Sequence, residues 1–139
     1  MGWKEEIEMA ADNTATVDRS KLPLVYSCSG CSSAAQTSND VALALDRRNL
    51  AEMSCIAGVG GDVKKLVKVA KSGRPIVAID GCPLACAKSA LARHGVQVAV
   101  WHELSQYEVE KRFQTDPDPN QVEKVLQIVV DSMASLQGN

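Results

Sequence analysis

Pro75-Ile76-Val77-Ala78-Ile79-Asp80-Gly81-Cys82-Pro83 governs how the rest of the chain is read. Four consecutive apolar residues, three of them β-branched, stand between a proline and an Asp-Gly pair. A short unbroken apolar run with those boundaries is a strand buried on both faces. Such strands belong to parallel sheets covered by helices. The sequence beyond it agrees. Pro83 suits the first turn of a following helix, and Gly95, near His94, ends it.

The same unit lies upstream. Leu22-Pro23-Leu24-Val25-Tyr26 is an apolar run closing in Ser, Cys and Gly, and Ser33-x-x-Gln36 can form a capping box ahead of a helix that carries Val41 and Leu45. Residues 52–57 read as another strand, with Gly58, Gly60 and Gly61 in the loop after it and Asp62 as an N-cap. Val63, Leu66, Val67 and Ala70 then recur at helical spacing, while Lys64, Lys65, Lys68 and Lys71 occupy other positions around that helix. Gly73 and Pro75 terminate it.

Downstream, residues 96–101 make a fourth strand, and residues 103–117 divide between helix and polar loop. Asp118-Pro119 opens a last helix with apolar positions at Val122, Val125, Leu126, Val129, Met133 and Leu136.

Alternating strands and helices give an α/β fold: a small three-layer sandwich with helices on both faces of a parallel, flavodoxin-like sheet. The expected strand order is 2-1-3-4. Residues 1–20 read as a polar lead-in, a short helix and a linker, and residues 21–139 as one metal-binding domain.

Composition narrows the function classes. Apolar content of 45% and charged content of 23% are ordinary for a globular domain. The net charge is −2 with no basic tract, so nucleic acid is not an expected partner. No apolar run approaches the roughly 20 residues of a membrane helix. The first twelve residues carry Lys4, Glu5, Glu6 and Glu8, which is wrong for a secretory signal, so the expected location is cytoplasmic. Thiols stay reduced there, and five cysteines cannot all pair. Metal binding or catalysis is the expected use.

The cysteines at 28, 31, 55, 82 and 86 look scattered, but the fold reading collects them. Cys28 and Cys31 lie between the first strand and its helix. Cys55 lies near the end of the second strand. Cys82 follows the third strand, and Cys86 lies about one turn into the next helix. All fall at the C-terminal edge of a parallel sheet. With the first and third strands adjacent, Cys28-x-x-Cys31 and Cys82-x-x-x-Cys86 face each other across the switch point where open α/β sheets bind ligands. Two such pairs suit a tetrahedral four-sulfur metal site, with Cys55 as a reserve ligand. Four thiolates around one zinc ion carry net negative charge, and nearby helix N-termini favour anions.

Cys28-Ser29-Gly30-Cys31-Ser32 with Asp80-Gly81-Cys82-Pro83 resembles the DGC-domain family, named for its Asp-Gly-Cys motif. The resemblance runs from about Leu22 to His102 and implies zinc chelation by four cysteines, with no established reaction. The same cysteine motifs are similar to those of the flavodoxin-like domain in the small subunit of nickel–iron hydrogenases, which implies an iron–sulfur cluster instead. Thiolates serve either metal centre.

The functional expectations are therefore a zinc-binding protein serving structure, sensing or delivery, then an iron–sulfur electron-transfer or sensor protein, then a thiol redox enzyme with Cys28 or Cys82 as nucleophile. A metal ion is an expected partner, nucleic acid and membrane are not, and the sequence does not indicate a protein partner. Asp80 is expected to order a cysteine loop. His102 is expected at the surface or behind the site, and His94 at a helix C-terminus, interacting with its dipole.

Overall fold

The computed structural model describes residues 17–136. Four parallel strands form one sheet: β1 Leu24–Ser27, β2 Glu52–Met53, β3 Ile76–Asp80 and β4 Val100–Glu103. Their order is β2-β1-β3-β4, as the alternating pattern requires. Leu24 stands opposite Ile76 and Ser27 opposite Ile79, so β1 and β3 finish at almost the same level.

Side chains alternate across the sheet. Val25, Val77 and Ile79 pack on α1 (Ser33–Arg47) and α5 (Pro119–Ser132), through Val41, Leu45, Val122, Val125, Leu126 and Val129. Leu24, Tyr26, Ile76 and Ala78 face the other layer, where α2 (Ile56–Gly60), α3 (Lys64–Ala70) and α4 (Cys86–Arg93) supply Val59, Ala70 and Leu91. Asp118 caps α5 by accepting from the Asn120 N–H at 2.9 Å, with Pro119 in the first turn.

Several boundaries move. The second strand is only two residues long, and α2 already begins at Ile56. The glycines expected in a loop therefore lie in or beside a helix. Packing bears on Gly58: a Cβ there would fall on a Leu66 δ-methyl, which would have to turn away for α2 to keep its place against α3. Asp62 does not cap α3; Val63 holds that position without a side-chain bond. Asp62 instead pairs with Arg93 and with His94 Nε2, and the same His94 nitrogen lies 2.9 Å from the Val59 carbonyl. His94 does end α4, and its ring ties α4 to α2. The fourth strand spans residues 100–103, later than the apolar run suggested. Val96 N–H is taken by the Leu91 carbonyl at the end of α4.

The region after β4 becomes a 3-10 turn, Leu104–Tyr107, followed by an irregular strap that runs back over the cysteine edge. The expected lead-in helix at residues 1–16 lies outside the described residues. Arg19 joins the fold, reaching Asp46 at 2.5 Å and Asn49 at 2.7 Å. Among the described residues no helix is long and apolar enough to cross a membrane.

Candidate functional site

The site is the C-terminal edge of the two central strands. Cys28 is one residue past β1, and its N–H continues the ladder to the Ile79 carbonyl at 3.0 Å. That bond seats Cys28 beside the turn following β3. The Gly81 N–H donates to Cys28 Sγ at 3.1 Å, so the Asp-Gly-Cys turn touches the first cysteine directly. Ser38 Oγ lies 3.1 Å from the same sulfur and also reaches the Ala35 carbonyl at 2.7 Å. Burial raises the Cys28 thiol pKa, and the Asp80 and Cys86 charges add to the rise; the bonds from Ser38 and Gly81 oppose it.

Each residue of the Asp80-Gly81-Cys82 turn has its own task. Asp80 is buried, and its carboxylate accepts from Ala87 N–H at 2.7 Å, Lys88 N–H at 3.1 Å and Trp101 Nε1–H at 3.0 Å. It therefore caps α4 from across the loop and orients the segment carrying Cys86, the loop-ordering role expected of it. Gly81 crosses the start of α1 so closely that a Cβ would lie 2.6 Å from the Ala34 carbonyl group. Cys82 is half-buried, with Lys111 Nζ 3.6 Å from its sulfur. Pro83 lies in the turn, not in the helix. Ala85, left-handed at φ 53°, precedes α4, and Cys86 is the first residue of that helix.

Ser32 caps α1, its Oγ accepting from Ala35 N–H at 3.1 Å. The cap is one residue earlier than the capping-box reading, because Ser33 is used elsewhere. Its N–H donates to the Arg112 carbonyl at 2.8 Å, and its Oγ accepts from Arg112 N–H at 3.0 Å. Gln36 donates to the Gly30 carbonyl at 2.7 Å and steadies the Cys28–Cys31 loop. Ser32 also bridges to Phe113. These contacts hold the strap, and with it Lys111, over the edge. Lys111 is 29 residues from Cys82, and no sequence spacing announced it. Ser38 and Trp101 were missed for the same reason: their roles exist only through packing.

Cys31 and Cys86 are exposed on this edge. Cys55 is also exposed but sits at the N-cap position of α2, without a side-chain capping bond, and lines a different cavity. His102 is inside β4 and buried, with both ring nitrogens taken up by Tyr107 and Ser132. The thiols are the right donor type for zinc or an iron–sulfur cluster. Their arrangement does not assemble the centre: among the described residues no group of three or more His, Cys, Asp or Glu side chains stands together to hold a metal ion.

Residues 24–129 match the family model described as DGC domain. Over 104 residues the chain is 58% identical to the anaerobic and virulence modulator AnvM of Pseudomonas aeruginosa, covering 75% of this chain and 79% of that protein. No solved structure matches the chain.

Proposed function

The chain belongs to the DGC domain family, and on that premise we propose that it is a thiol-based metal-binding protein, with zinc held by Cys28, Cys31, Cys82 and Cys86. The observation that carries this reading is the Gly81 N–H donated to Cys28 Sγ at 3.1 Å, which links the two cysteine loops at one sulfur. Backbone N–H groups aimed at sulfur favour its anionic, metal-ligating form. Zinc bound by four thiolates is a closed structural centre with no position for substrate. Because the four thiols are not gathered, binding has to draw in the exposed Cys31 and Cys86 while Cys28 stays fixed. The rest of the fold has its own two-sided core, so the metal is a ligand on a preformed scaffold, unlike the zinc of a zinc finger.

Elemental analysis and a visible spectrum of protein purified without oxygen test the reading. The expected result is about one zinc per chain and no colour. Cys28→Ser and Cys82→Ser should abolish it, whereas Cys55→Ser should not. Stoichiometric iron with acid-labile sulfide would replace zinc by a cluster. After chelation, far-UV circular dichroism should persist while the four thiols gain reactivity toward alkylating agents.

A second reading, a thiol redox protein, is favoured by the Lys111 ammonium beside Cys82. It takes precedence if the freshly purified protein contains no metal.

A further inference from the structure

We infer that the groove between α1 and the β2–α2 corner is a docking surface for this chain's own residues 1–12, which seat Trp3 and Ile7 on its apolar floor and shield Cys55. The groove is separate from the cysteine edge treated above, and this inference does not depend on what that edge binds.

The groove measures about 380 Å³, and Leu43, Met53, Ile56 and Ala57 supply its apolar floor. Leu43 belongs to neither core cluster, although it lies on α1 between the core residues Ala42 and Ala44. A large apolar side chain turned from the core into a groove marks a docking surface when others join it. The charged pair on the lining, Arg47 and Asp46, neutralises itself at 2.6 Å. Strand β2 is at the edge of the sheet, but its Met53 N–H is already taken by Asp46 at 2.9 Å. The groove therefore suits apolar side chains, not a counter-ion or an added strand. Cys55 stands exposed on its lining.

The path of the chain identifies the occupant. Arg19 reaches Asp46, a lining residue, at 2.5 Å and Asn49 at 2.7 Å. Residues 1–16 thus join the fold at the rim of the groove. Extended, they reach up to about 50 Å, more than twice the roughly 22 Å length of α1. They carry Trp3, Ile7 and Met9. Tethered at the rim, these side chains stand at about millimolar effective concentration, an advantage that no separate molecule has. Trp3 supplies a large apolar surface for the floor.

The test alkylates the full chain with iodoacetamide and follows the rate at Cys55 by peptide mass. Trp3→Ala combined with Ile7→Ala should raise that rate about tenfold, in line with partial burial of one aromatic and one aliphatic side chain. The rate at Cys31, outside the groove, should not change. Leu43→Asp alters the floor instead of the segment and should raise the Cys55 rate similarly, with no further rise when all three changes are combined. Leu43 lies outside both core clusters, so this variant keeps the fold, which far-UV circular dichroism checks. Equal Cys55 rates in the native protein and the Trp3→Ala, Ile7→Ala variant would overturn the inference. So would a rise that Leu43→Asp fails to reproduce, because the segment would then lie elsewhere. A native rate that falls as the protein is concentrated would seat a second copy in the groove and overturn it as well.

Discussion

The loops after β1 and β3 stand side by side at the same level of the sheet and each carries two cysteines, yet they are built differently. In the first loop the cysteine itself is held: Cys28 is buried, with Gly81 and Ser38 on its sulfur. The backbone around it is uncrowded: a Cβ on Gly30 would meet nothing within 4 Å, although Gln36 holds the Gly30 carbonyl. In the second loop the backbone is held. Asp80 fastens it to α4 and Trp101, Gly81 is pressed against α1, and Ala85 is left-handed, while Cys82 remains half-buried. The contrast separates a fixed, buried sulfur on an uncrowded loop from more exposed sulfurs on a tightly packed one. A centre that closes around a ligand needs both kinds, because one part sets position and the other admits the guest.

The largest way to break this comparison is Gly81→Ala. The new methyl would overlap the backbone of Ala34 and Ala35, which cannot retreat without moving the start of α1. The expected loss is about 3 kcal/mol of unfolding free energy, measured by urea denaturation. A loss below about 0.5 kcal/mol would show that the second loop is as free as the first.

Asp80→Ala tests the other half of the fixed loop. It strips three N–H donors of one carboxylate, so stability should fall by about 2 kcal/mol, and Trp101 emission should change as its indole loses its partner. Unchanged Trp101 emission would contradict the bond.

The strap lies over both loops, meeting the end of the first through the Ser32–Phe113 bridge and the second through Lys111. The chain enters the strap past Tyr107, whose hydroxyl meets His102 Nδ1 at 2.7 Å. Ser132 Oγ spends its proton on the Val129 carbonyl at 2.6 Å, so it accepts from His102 Nε2–H, and Tyr107 donates to Nδ1. The ring is thereby held neutral, and burial lowers its pKa from the ordinary 6.5. With the folded value below the unfolded one, the unfolded chain binds the proton first. Stability is full above pH about 6.5 and declines as pH falls from there through the lowered folded value. His102→Gln should flatten that part of the stability–pH curve, read by denaturation at a series of pH values. The same slope in the variant would assign it to other groups.

The smallest expected effect is the sharpest control. Gly30→Ala, in the uncrowded first loop, should change stability by less than about 0.5 kcal/mol. Zinc stoichiometry should be unchanged as well. A cost comparable to that of Gly81→Ala would erase the difference between the loops.

The amino-acid sequence alone determined the layers, the parallel sheet and the order β2-β1-β3-β4, because burial on both faces leaves period and run length as readable signals. It also placed Cys28 and Cys82 at equivalent strand ends, and it foresaw the part Asp80 plays, since an acidic residue in a turn beside a helix start has few other uses. Tertiary structure decided the rest. Residues 52–57 carry an apolar pattern that suits either strand or helix, and the approach of Leu66 to Gly58 settled it as a helix after two strand residues. Ser33 rather than Ser32 looked like the cap until the strap claimed it. Lys111 reached Cys82, and Cys55 went to a cavity of its own, through contacts between distant segments. Local pattern records which side of a strand or helix faces the core. It does not record which distant side chain fills the space beyond a strand's end, because that choice depends on how several elements pack at once.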